Sequence, residues 1–64
     1  MSFADNLRRI REQQGMTQKQ LAKLAGCTQQ AIYNFEQDKN KPNIITGAKI
    51  AEILGTTVEK LVEE

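Results

Sequence analysis

The stretch Thr17–Gln37, TQKQLAKLAGCTQQAIYNFEQ, decides how this chain folds. Its opening, Thr-Gln-Lys-Gln, has the form of a capping box, in which the threonine hydroxyl and the glutamine side chain satisfy backbone N–H groups reciprocally. Leu21, Leu24 and Ala25 follow at helical spacing and predict a helix over 18–25 with those three residues inward. Gly26 stops it, because glycine enters the left-handed conformation that ends many helices without steric cost. Only Cys27 separates that stop from Thr28, which suits the N-cap of a further helix over 29–36. So short a link forces a sharp angle between the two axes, which is the helix-turn-helix arrangement. Ala22, Gly26 and Ala31 are small enough to let the crossing helices approach closely.

The same signals divide the rest of the chain. Ser2 and Asp5 in SFAD form a second capping-box pattern, and Phe3, Leu7 and Ile10 predict a helix over 3–14 that ends at Gly15. After residue 36 comes the polar loop QDKNKPN, in which Pro42 followed by Asn43 suits a loop ending in an N-cap. Ile44, Ala48, Ala51 and Leu54 mark the expected inward side of a helix over 44–54, stopped by Gly55. Thr57 caps a last short helix over 58–63 that holds Val58, Leu61 and Val62. Nothing alternates with the period of a strand. The expected fold class is all-α, a five-helix bundle built around a helix-turn-helix, with residues 1–64 as one domain.

Composition narrows the function. The 64 residues hold no histidine, which removes His-based triads and the usual zinc sites. Cys27 is the only cysteine, so no intrachain disulfide forms and a reducing, cytoplasmic setting is expected. Cys27 itself reads as a small buried hydrophobe. No catalytic group, metal, cofactor or small-molecule ligand is indicated, and no apolar run reaches the length of a membrane span. Net charge is +1, but residues 1–42 hold seven basic and four acidic side chains while residues 43–64 hold two and four. One end of the molecule thus suits a polyanion and the other suits solvent or a partner.

The expected third helix sharpens that reading. At about 100° per residue, Thr28, Ala31, Ile32 and Phe35 share one side. Gln29, Gln30, Tyr33, Asn34 and Gln37 spread over the other, with no charged residue among them. Exposed helix positions are more often Lys and Glu, which pair and solubilise. A Gln or Asn amide carries a donor and an acceptor side by side, the pattern that matches adenine N6 and N7 in the major groove. Tyr33 suits a phosphate or a thymine methyl. Lys39 and Lys41, with Arg8, Arg9 or Lys19, supply cations for phosphate, and the start of helix two offers free backbone N–H groups.

With these residues in view, MTQKQLAKLAGCTQQAIYNFEQDKNKPN followed by KIAEILGTTVEKLVE resembles the helix-turn-helix domain of lambdoid-phage repressors, Cro proteins and the wider XRE family. The resemblance runs from about Leu7 to Val62, and a phage repressor with the same Thr-Gln-Gln triplet reads operator adenines and guanines with it. It implies base reading by Gln29, Gln30 and Asn34, beside Tyr33. It implies phosphate contacts from Thr17 and Gln18, and from Lys39, Asn40 and Lys41. It also implies an ion pair between Arg11 and Glu36. Asn34 departs from the longer glutamine of that repressor, Gly47 stands where a leucine is frequent, and Cys27 replaces a valine.

The expected function is sequence-specific DNA binding by a transcriptional regulator of repressor type, bacterial or phage-encoded and nucleoid-associated. Its expected partner is a pseudo-palindromic double-stranded operator, bound by a homodimer. Ile53, Val58 and Val62 at the acidic C-terminal end are the candidate dimer surface. The alternative is a protein-interaction module on the same fold, antitoxin-like or bridging, for which the amide row has no task.

Overall fold

The computed structural model describes residues 2–63. Five helices follow one another without a strand among the described residues: α1 (Phe3–Gln13), α2 (Gln18–Ala25), α3 (Gln29–Glu36), α4 (Ile44–Ile53) and α5 (Val58–Val62). The expected boundaries of α2 and α3 agree with these, while α1, α4 and α5 each end one residue sooner than the spacing predicts. Gln14 and Leu54 keep near-helical backbone as C-caps, and Glu63 has already turned to extended backbone.

Each helix begins at a side-chain cap. Ser2, Thr17, Thr28, Asn43 and Thr57 all have extended backbone, and each side chain accepts from the backbone N–H three residues on. Such a cap contributes about 1 kcal/mol, a large aid to helices this short. Thr17 and Gln20 complete the reciprocal box, with Thr17 N–H donating to Gln20 Oε1 at 2.9 Å.

The turn between α2 and α3 rests on Gly26, at φ +72°. Its left-handed backbone lets Cys27 N–H reach back to the Ala22 carbonyl at 3.0 Å, closing the end of α2. The chain then enters the Thr28 cap at once.

The core gathers Phe3, Leu7 and Ile10 of α1, Leu21, Ala22 and Ala25 of α2, Ile32 and Phe35 of α3, Ile50 and Ala51 of α4, Leu54, and Leu61 of α5. Leu7, Leu21, Ile32, Ile50 and Leu61 are fully enclosed. Truncating one such side chain to alanine costs about 2–5 kcal/mol. Cys27 and Ala31 pack half-buried against this cluster. Burial pushes the Cys27 thiol above its ordinary pKa, so it stays protonated as a small apolar group.

Several expected inward positions face out instead. Leu24 is 59% exposed, because Leu21, Ala22 and Ala25 already fill the narrow contact of α2. On α4, Ile44 is 83% exposed and Ala48 also faces solvent; Gly47, Ile50 and Ala51 are the buried stripe. Val58 and Val62, expected to leave apolar area uncovered, are indeed exposed on α5, with only Leu61 entering the core. Ile53, expected on the surface, packs half-buried against the core.

A side chain with no apolar signal ties the ends of the chain together. Asn6 is 2% exposed, and its Nδ2 donates to the Leu61 and Glu63 carbonyls at 3.0 and 2.6 Å, with a longer approach to Lys60 at 3.5 Å. It satisfies carbonyls at the end of α5 that have no partner within their own helix.

Candidate nucleic-acid interface

The position of α3 follows from its two sides. Ile32, Phe35 and Glu36 are buried, while Gln29, Gln30, Tyr33 and Gln37 are exposed and Asn34 is half-buried. The five polar residues form one uninterrupted surface without a formal charge. Gln18, Gln29, Gln30 and Tyr33 line a shallow depression where the start of α2 meets α3.

Glu36, the last residue of α3, is the anchor. Its carboxylate accepts from Arg11 Nε at 2.6 Å, from Arg11 Nη2 at 3.0 Å and from Gln18 Nε2 at 3.1 Å. Arg11 Nη1 donates to the Met16 carbonyl at 2.7 Å. One buried cluster thereby joins the end of α1, the turn after it, the start of α2 and the end of α3. The hydrogen bond to Glu36 raises the Arg11 pKa above its ordinary value, against the opposing effect of burial. Every buried side-chain polar atom among the described residues has a partner.

This cluster changes the reading of Gln18. Its side-chain amide gives one proton to Glu36, which leaves the second amide proton and the backbone N–H for an outside acceptor. Gln18 and Lys19 occupy the first turn of α2, where backbone N–H groups lack carbonyls within the helix. Thr17 gives its N–H to the cap and accepts there on its hydroxyl oxygen, which leaves the hydroxyl proton for an outside acceptor.

Two further contacts order the outward face. Gln30 Nε2 donates to Asn34 Oδ1 at 3.0 Å, one helical turn along. Lys39 Nζ lies 5.7 Å from the centre of the Tyr33 ring, within cation–π range. Lys39, Asn40 and Lys41 are all exposed in the loop after α3. That loop leaves α3 through Asp38, a non-glycine residue held at φ +61°. The arginines of α1 are less free. Arg8 approaches Glu12 at 3.6 Å, and Arg9 donates to Asn6 Oδ1 at 3.3 Å.

The structure thus brings Gln18, Gln29, Gln30, Tyr33, Asn34 and Lys39 to the α2–α3 face. Sequence reasoning missed Asn6 and the side-chain bond of Gln18 to Glu36. Both are polar residues in short amphipathic helices, and nothing local distinguishes such a residue from a solvated one.

Comparison with known proteins agrees with this geometry. The helix-turn-helix family model matches residues 7–61. The chain is 40% identical over 58 residues to the HTH-type transcriptional regulator PuuR of Escherichia coli, covering 91% of this chain and 31% of that protein. It therefore spans about a third of that relative's length. Among solved structures, the P22 c2 repressor in complex with a synthetic operator superposes with a TM-score of 0.95 at 21% identity, over 98% of this chain and 96% of the repressor chain. That likeness is one of fold. The hydroxypropylphosphonic acid epoxidase from S. wedmorenis also matches, with a TM-score of 0.85 at 31% identity, over 94% of this chain but only 32% of the enzyme. With caps, turn and core all arranged around α2 and α3 in this manner, the chain belongs to the helix-turn-helix family.

Proposed function

We propose that the chain is a sequence-specific DNA-binding transcriptional regulator of repressor type, and that α3 enters the major groove. The face of α3 carries the reading: Gln29, Gln30, Tyr33 and Asn34 form an uncharged hydrogen-bonding surface on a helix fixed from behind by Phe35 and Glu36. In this account Gln29, Gln30 and Tyr33 contact base edges, which is where sequence is read, with Asn34 beside Gln30 in the same row. Phosphates are held by the Thr17 hydroxyl, by the backbone N–H groups of Gln18 and Lys19, by the Lys19 side chain, and by Lys39, Asn40 and Lys41. The identity to PuuR and the operator-bound state of the P22 c2 repressor support the assignment.

The protein acts without catalysis, on DNA in the cytoplasm, with residues 1–64 as one DNA-binding unit. It occupies a pseudo-palindromic operator as a homodimer. Val58 and Val62 support the pairing, since they are exposed one turn apart on α5, beside acidic Glu59 and Glu63. That charge disfavours phosphate and leaves the face to a partner.

Selection from a pool of random duplexes, followed by sequencing, tests the proposal. The expected result is an enriched motif of two inverted half-sites about one helical turn apart. A pool that emerges unchanged contradicts it.

A further inference from the structure

Asn34 lies one turn beyond Gln30 on α3, and its Oδ1 accepts from Gln30 Nε2 at 3.0 Å. Gln30 is exposed, whereas Asn34 is half-buried. The shorter and more enclosed side chain is the more restricted of the two, so it sets the geometry of the pair. We propose that Asn34 is a positioning residue that fixes the hydrogen-bonding polarity of Gln30 and makes Gln30 select adenine over guanine. The inference rests on the DNA-reading function above and concerns which base that function selects.

The choice of base follows from a count of protons. A glutamine amide offers two N–H donors and one acceptor oxygen. Adenine presents an acceptor, N7, and a donor, N6, to the major groove, while guanine presents two acceptors, N7 and O6. Two-point contact with guanine uses both amide protons on the base. Two-point contact with adenine uses one proton and Oε1. The bond to Asn34 takes one proton, which leaves the adenine set. Turning the Gln30 amide over alone would set Oε1 against Asn34 Oδ1, two acceptors face to face, so the guanine set requires both amides to turn over together. On the free protein such a surface bond competes with water. Where DNA displaces the water, each donor must be used and the count governs the choice of base.

The test measures the affinity of the full chain for the selected operator with each of the four base pairs at every position. The unaltered protein is compared with Gln30→Ala, Asn34→Leu and Asn34→Asp. The position at which Gln30→Ala loses discrimination is expected to favour adenine over guanine by at least about fivefold in the unaltered protein. Asn34→Leu removes the acceptor and is expected to bring that ratio to near unity at the same position. Asn34→Asp offers only acceptors, so it keeps the ratio while its negative charge weakens every duplex alike. An unchanged ratio in Asn34→Leu overturns the proposal, as does a lost ratio in Asn34→Asp or a preference for guanine in the unaltered protein. Loss of discrimination by Asn34→Leu at a base pair other than the one lost by Gln30→Ala also overturns it, since Asn34 then reads a base itself. If the unaltered protein prefers no sequence at all, the DNA-reading function fails and this inference with it. A clear operator preference with an unchanged Asn34→Leu ratio overturns this inference alone.

Discussion

Arg11 and Glu36, on α1 and α3, form a two-pronged ion pair whose bonds measure 2.6 and 3.0 Å. The Glu36 side chain is 1% exposed and that of Arg11 is 11% exposed. Parallel charge-assisted bonds of this kind are among the stronger ones, and Gln18 supplies a third donor to the same carboxylate. The pair sets where α3 ends against the body of the protein, and so where its outward face points. Arg11 has its pKa raised in the folded state, so its contribution to stability is complete below its unfolded value and fades only in stronger alkali. Ordinary pH changes leave this charge intact.

Replacing Glu36 by glutamine keeps the shape and strands a buried guanidinium, which is expected to cost about 3–5 kcal/mol. Replacing both partners with apolar residues, Arg11→Met with Glu36→Leu, is expected to cost less than Glu36→Gln alone, since no uncompensated charge remains. Urea midpoints compare the variants. An unchanged midpoint for Glu36→Gln contradicts a structural role for the pair.

What the sequence makes legible here is the set of caps and stops. Thr17, Thr28 and Asn43 announce their helices because capping is local chemistry within four residues, and Gly26 marks the turn for the same reason. Helix faces are less legible. Residues 44–54 are apolar nearly all round, with Ile44, Ile45, Ala48, Ile50, Ala51 and Ile53, so periodicity selects no single stripe. The packing of neighbouring helices makes that choice and buries Gly47 and Ile50. Leu24 misleads in the same way, since α2 is too short to bury a second wide row. At the site, the uncharged row on α3 is visible from composition alone. The bond from Gln18 to Glu36 is not, because it joins residues whose proximity exists only after folding.

Asn6 provides a test of the join between α1 and α5. Asn6→Ala removes the donor from the Leu61 and Glu63 carbonyls and is expected to cost about 1–3 kcal/mol. Asn6→Asp, nearly identical in shape, sets carboxylate oxygens against those carbonyls and is expected to cost more at neutral pH. Amide exchange should accelerate in α5 before the rest of the core in both variants. Uniform acceleration across the protein contradicts a local latch.

Asp38 stores strain at the exit from α3. A non-glycine residue at φ +61° costs about 1 kcal/mol or more, and Asp38→Gly is expected to recover about that much in a thermal or urea melt. Asp38→Asn keeps a residue tolerant of this conformation and removes only the charge beside Lys39. Its stability should change little, while affinity for any duplex should rise. A destabilised Asp38→Gly contradicts the strain argument.

Pairing on DNA is tested by geometry. Symmetric occupancy requires two half-sites on the same side of the duplex, about 34 Å apart. Moving the second half-site by about five base pairs turns it to the opposite side, half of the turn of about ten base pairs that separates paired sites. Affinity should then fall to that of a single half-site. Indifference to both the second half-site and its spacing contradicts the homodimer.

In the proposed function the amides of α3 read bases while the cations after it hold phosphate. Titrating Gln30→Ala and Lys41→Ala on cognate and random duplexes over a range of salt tests it most directly. Gln30→Ala is expected to lose about 1–3 kcal/mol on the cognate site and almost nothing on random DNA. Lys41→Ala is expected to weaken both duplexes alike and to flatten the salt slope by about one unit. Equal losses for Gln30→Ala on cognate and random DNA would contradict the account.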